Sequence, residues 1–292
     1  VSGPARAWAW LRRKALPIYA VLAVAYMLIP ILVVAVFSFG DTPKDKLTFT
    51  LGDGFTLEYW RTMLDIPELN DALSTSLRLA AFTTVIATAI GTAMAVALVR
   101  HRFLGKRVAN LLIVIPMATP EVVIGASLLS MFIYYSFALG FTTLLIAHVM
   151  FSISFVVVVV RSRLIGFDRN LEEAAADLGA GPFTTFRTVT LPLLAPGIIS
   201  AALLAFALSI DDFVISNFNS GTAVTFPLYV YGVSLRGIPV QVNALATLLF
   251  LIAVVAVAIV LLQQRRAERM AAVRPEAEPG GPIPLPGTAA AQ

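Results

Sequence analysis

Cysteine is missing from all 292 residues. That excludes a disulfide framework, a thiolate metal site and a thiol redox pair. Histidine occurs only twice, as His101 and His148, and two imidazoles so far apart supply no metal-ligand set. Charge is scarce: 13% of residues are Asp, Glu, Lys or Arg, against roughly 25% in a soluble domain. A phosphate-cradling loop is also lacking. The nearest match to G-x-x-x-x-G-K-[ST] is Gly105-Lys106, but Arg107 follows it and Arg100 stands where the first glycine belongs. Nothing in the spans assembles a nucleophile with a base, so the chain is not expected to be an enzyme and no catalytic residue is assigned. No short-period solenoid repeat is present.

What fills the sequence is apolar surface. Hydrophobic residues make up 59%, and the mean hydropathy is +0.87. The excess falls in runs of about 20 residues, long enough to cross roughly 30 Å of hydrocarbon at 1.5 Å per residue. Six spans are expected: Ile18–Phe39, Leu73–Val99, Val108–Ser136, Phe141–Val160, Ala195–Ile210 and Val242–Leu262. The fold class is an all-α integral membrane protein with six transmembrane helices. The first run follows Arg12, Arg13 and Lys14 like a signal peptide. It is too long for one and lacks a small-residue cleavage site, so a retained helix is expected.

Basic residues set the expected orientation. Arg6, Arg12, Arg13 and Lys14 precede span one; Arg100, Arg102, Lys106 and Arg107 follow span two; Arg161, Arg163, Arg169 and Arg187 follow span four; Arg265, Arg266, Arg269 and Arg274 follow span six. These sixteen of the 21 Lys and Arg residues lie on one side, so both termini are expected to be cytoplasmic. The same pattern accounts for the pI of about 9.6 without a nucleic-acid partner. The loop after span one (Asp41, Asp45, Asp53, Glu58, Asp65, Glu68, Asp71) is acidic and belongs outside. The domain plan is an N-terminus over 1–17, a six-helix transmembrane domain over 18–263 and a tail over 264–292. Past Met270 five prolines and little bulk argue for disorder.

Between spans four and five, 161–190 forms a polar insert. Leu171–Leu178 is rich in Glu, Ala and Leu, all strong helix formers. Glu172 and Glu173 sit near its start, where the helix dipole favours acids. Gly179 and Gly181 suit a left-handed helix end, Pro182 suits the first turn of another short helix, and Pro192 and Pro196 mark re-entry into the bilayer. On these grounds the insert reads equally as a docking element or as a solvated amphipathic loop.

The spacing then carries a resemblance. Glu173-Ala174-Ala175, three residues, Gly179, nine residues and Val189-Thr190-Leu191-Pro192 resemble the EAA motif of ABC-importer permeases, E-A-A-x3-G-x9-I-x-L-P, with Val189 for Ile as the single departure. The resemblance implies a type I ABC importer permease (MetI-like) fold. It also implies that Glu172, Glu173, Ala174, Ala175, Gly179, Leu191 and Pro192 form a coupling helix and its mount, seated on a separate ATPase. The implied partners are a homologous second permease, two ABC ATPase subunits, an external solute-binding protein and the bilayer of a bacterial inner membrane. The chain itself holds no cofactor; ATP and Mg belong to the ATPases. Arg161-Ser162-Arg163-Leu164, Leu208–Phe218, Phe226–Gly232 and Val242–Leu249 further resemble the second permeases of spermidine/putrescine importers. Related permeases for other amine or aminoalkyl solutes share much of these segments, and the alternative reading is an ABC permease for another small solute, an aminoalkyl compound, an amino acid-like compound or a sugar.

A cationic cargo suits the few acids near the spans. Glu121 lies 13 residues into span three, roughly 20 Å deep, where a carboxylate is costly unless its face is wet or paired. Pro116 and Pro120 just before it argue for a broken helix lining a path. Asp211 and Asp212 end span five, and Tyr134, Tyr135, Tyr229 and Tyr231 offer aromatic faces to an amine. Each has a structural alternative. Glu121 can pair with Arg78, and Asp211-Asp212 can cap the next loop or pair with Arg236. The tyrosines can be an interfacial belt, and His148 fits an interhelical hydrogen bond better than a ligand site. A gradient-driven transporter would need ionisable relays in several spans, and only Glu121 is available.

Overall fold

The computed structural model describes residues 3–40 and 54–273. Part of the acidic loop (Asp41, Asp45, Asp53) and the chain from Arg274 onward lie outside the described residues. The chain divides into two compact units, Val1–Ser38 with Asn243–Gln292, and Phe39–Val242.

The first unit holds α1 (Gly3–Phe37) and nearly all of the last helix, Val240–Val273. α1 keeps Pro17 and Pro30 within it and exposes apolar side chains from Leu16 to Val36, as a helix in lipid can. The last helix continues past the expected end at Leu262 to Val273. Its extra residues, QQRRAERMAAV, are mostly good helix formers that hydropathy alone leaves out.

The second unit runs α2 (Glu58–Arg61), α3 (Pro67–Arg100), α4 (Lys106–Ala118), α5 (Glu121–Tyr134), α6 (Phe141–Ile165), α7 (Asn170–Asp177), α8 (Pro182–Thr185), a π-turn over Phe186–Thr190, α9 (Leu191–Asp211), α10 (Val214–Asn219) and α11 (Phe226–Ser234). α12 (Val240–Val273) then leads into the first unit. Among the described residues, five helices are long and apolar enough to cross a membrane. The expected third span, Val108–Ser136, is instead a bent pair: α4 and α5 meet at 111°. The cause is local. Pro120 disfavours helical backbone at Thr119, which adopts φ −87° and ψ 136°, and α5 restarts at Glu121.

α6 is apolar all round and is the most buried span. One core joins it to α3, α4 and α9 through Ala87, Ala95, Leu98, Ile113, Val156, Val160, Ala201 and Ala205. Another joins it to α5 and α10 through Ile124, Leu128, Phe132, Ala147, Phe151 and Ile215. Lipid gives no hydrophobic push between helices, so small residues that permit close approach must do that work. A Cβ on Gly91 of α3 would stand 2.6 Å from Val156 Cγ1 on α6.

Candidate functional site

Two groups of polar residues stand out against this apolar frame: one in the insert and one around the end of α9.

In the insert, α7 ends in a full Schellman motif. The N–H of Gly179 donates to Ala176 O at 2.9 Å, and that of Ala180 donates to Ala175 O at 3.0 Å. The motif needs a left-handed residue, and Gly179 has φ +86°. A Cβ there would meet nothing within 4 Å, so backbone conformation, not space, selects glycine. Glu173 is exposed and pairs with Arg169 one turn back at 3.2 Å. Glu172 turns inward instead. Its Oε2 lies 3.0 Å from Arg100 Nε at the end of α3, and its Oε1 accepts the Thr190 hydroxyl at 2.7 Å. Ala174 and Ala175 supply α7 backbone, and Leu191-Pro192 opens α9 directly after the π-turn. Leu171, Leu178 and Phe183 leave an apolar surface open on the same insert. Arg100 and Thr190 had no motif to mark them; the only signal was a charge ending span two and a hydroxyl within the motif's variable position.

Around the end of α9, the structure separates the two neighbouring acids. Asp212 caps α10, accepting N–H from Ile215 at 3.2 Å and Ser216 at 2.8 Å. Its Oδ2 also lies 3.4 Å from His148 Nε2. His148 is buried and bonds Ser209 through Nδ1 at 2.9 Å and Ser216 through Nε2 at 3.0 Å, so it ties α6 to α9 and α10. Asp211 is exposed. It lies close enough to Glu121, also exposed at the first residue of α5, for their charges to interact. Neither Glu121 with Arg78 nor either aspartate with Arg236 is among the ion pairs of the described residues. The placement of Glu121 is built from behind. Asn219, fully buried at the end of α10, donates to Gly125 O at 3.3 Å, and a Cβ on Gly125 would stand 2.8 Å from the Phe218 ring. α5 is thereby pressed onto α10.

The tyrosines scatter. Tyr231 packs its ring 4.8 Å from Phe213, next in chain to Asp212, and is exposed. Tyr229 is half-buried; loss of water, then the charge of Glu68, push its phenol above the usual value, so it stays neutral. Tyr134 and Tyr135 form an edge-to-face pair at 5.0 Å, but they lie at the far end of α5 from Glu121, about 20 Å along the axis. Glu121, Asp211 and Tyr231 are thus the candidates gathered around the end of α9. Among the described residues no group of His, Cys, Asp and Glu could hold a metal.

A helical frame with a bent span, exposed acids beside the bend and a capped helix in an insert suits the membrane component of a transporter. The match to known proteins agrees. Residues 87–269 fit the family described as binding-protein-dependent transport system inner membrane component, and the chain belongs to that family. It is 40% identical over 235 residues to the spermidine/putrescine transport system permease protein PotC of Escherichia coli (strain K12), covering 80% of this chain and 87% of that one. It is 39% identical over 236 residues to the putrescine transport system permease protein PotI of the same organism, covering 78% and 83%. Among solved structures, a chain of a bacterial ABC transporter that imports the acidic polysaccharide alginate superposes with a TM-score of 0.64 at 16% identity, covering 90% of this chain and 99% of that one. A chain of an amino acid ABC transporter gives 0.55 at 19%, covering 73% and 100%. The protein is therefore a transport permease and not an enzyme.

Proposed function

We propose that this chain is one permease half of an ATP-driven importer for polyamines, with spermidine and putrescine as the cargo class. The fold does not choose the cargo, since a transporter of an acidic polysaccharide shares it. The observation that carries the reading is the pair of exposed carboxylates, Glu121 and Asp211, brought within electrostatic reach at the bend of α4 and α5. An exposed carboxylate in a span costs several kcal/mol against lipid, so this face is wet or covered by protein. Two negative charges there repel each other, and a diammonium ion between them would relieve that repulsion. The names of the relatives point the same way.

In this reading both termini are cytoplasmic, in a bacterial inner membrane. α7 and the turn at Gly179 seat on an ABC ATPase, which binds the ATP and Mg. A second permease completes the path, and an external solute-binding protein delivers the amine. Closure of two ATPases would draw the inserts together and turn the cavity from inward- to outward-facing.

The experiment is ATP-driven uptake by the whole complex, with its binding protein, in proteoliposomes. Labelled spermidine or putrescine should accumulate and compete with each other. Accumulation of a sugar or an anionic solute while amines are ignored would overturn the cargo assignment. Accumulation without ATP, driven by an ion gradient, would overturn the importer reading.

A further inference from the structure

We infer that Glu172 is a positioning residue: its one carboxylate joins the insert to two spans at once, α3 through Arg100 and α9 through Thr190. The inference rests on the reading of α7 as the ATPase seat.

The chain connections of α7 are poorly suited to carrying force. Gly166 precedes it, and Gly179 and Gly181 follow it. Of these, Gly179 is in the left-handed region, and a Cβ on Gly179 or Gly181 would meet nothing within 4 Å. Open glycine turns are where displacement is absorbed. Glu172 bypasses both. Its side chain is only 17% exposed, against 61% for Glu173 beside it, so the two neighbouring acids divide into an inner joint and an outer face. Both carboxylate oxygens are occupied, Oε2 at 3.0 Å from Arg100 Nε and Oε1 at 2.7 Å from the Thr190 hydroxyl.

Each partner is itself fixed. Arg100 is the last residue of α3, and its guanidinium lies over the Phe167 ring at 5.6 Å. Thr190 is 3% exposed and closes the π-turn, from which helix runs on into α9 as Leu191 N–H bonds Phe186 O. π-turns concentrate at working sites in helices, and this one brings a hydroxyl to the carboxylate. A shift of α7 therefore pulls on the ends of α3 and α9 together, and those two helices pack on each other and on α6.

The test uses the whole complex in proteoliposomes, with ATP hydrolysis and amine uptake read from the same vesicles. E172A and T190V should keep the ATPase bound and hydrolysing, while uptake per ATP falls about tenfold, within the range of coupling between distant sites. The charge swap R100E/E172R should recover part of that ratio. An unchanged ratio in E172A and T190V would overturn the inference, as would a loss of ATPase binding in step with uptake, which would make Glu172 a seat residue. Should E172A not assemble, T190V decides, because it removes a single hydroxyl. Failure of the underlying reading looks different: E173A and G179V would then retain full ATPase co-purification and uptake.

Discussion

Asp212 Oδ2 lies 3.4 Å from His148 Nε2, both side chains nearly sealed from solvent, while Asp211 beside it is exposed. Asp212 also holds the first N–H groups of α10. Removing it leaves the buried N–H groups of Ile215 and Ser216 without their acceptor and takes the carboxylate from His148, whose ring keeps only Ser209 and Ser216, at about 1–3 kcal/mol. D212A and H148A should therefore lower the melting midpoint and the yield of purified complex. The fraction that assembles should keep the wild-type concentration dependence for amine. A raised half-saturation at normal yield would instead place Asp212 in the path.

Gly179 offers a graded test, because its constraint is torsional. At φ +86° with open space around it, alanine costs on the order of 1 kcal/mol, asparagine less and a β-branched residue more. Uptake and ATPase co-purification should rank G179N above G179A above G179V. Equal performance of G179V and G179N would show that the left-handed turn is not what the seat requires.

Gly91 is constrained by space instead. An added methyl meets Val156 at 2.6 and 2.8 Å, and valine has no flexible end to move aside. G91A should force α3 from α6 and cost about 1–3 kcal/mol, read as a lower melting midpoint in detergent. G91A/V156A should recover part of it. A single variant as stable as wild type would mean that this seam is looser than the contacts imply.

How much was legible beforehand follows from the range of each signal. The helical spans, the break near Pro116 and Pro120, and the helix–turn–helix of the insert come from local periodicity and backbone rules; among the described residues the structure carries five of the six spans as long helices and the third as a bent pair. The bend of 111° at Thr119 could not be read as such, since proline marks where a helix stops and not where the chain goes next. The helix to Val273 was hidden because hydropathy stops at the membrane edge while helix propensity does not. The division of Glu172 from Glu173, and of Asp212 from Asp211, depends on partners 18 and 64 residues away (Thr190 and His148); no window over the sequence contains both ends.

Glu121 and Asp211 give the sharpest test of the cargo. Both are exposed, outside the ion pairs of the described residues and within reach of each other's charge. Neutralising either leaves no buried group orphaned, so E121Q and D211N should fold and assemble at wild-type yield. What they remove is attraction for a diammonium ion where water is restricted; one charge at an effective dielectric of about 20 is worth a few kcal/mol at contact, less once the ion's own hydration is subtracted. Each variant should lower amine uptake about tenfold or more, and E121Q/D211N should lose less than the product of the two if both hold the same ion. Spermidine, with one more cationic centre than putrescine, should suffer more from either change. Uptake is to be measured in proteoliposomes holding the complete transporter, at equal protein and equal ATP hydrolysis. Wild-type uptake of both amines by E121Q, D211N and the double variant would remove these acids from the path and leave the cargo resting on relatives alone.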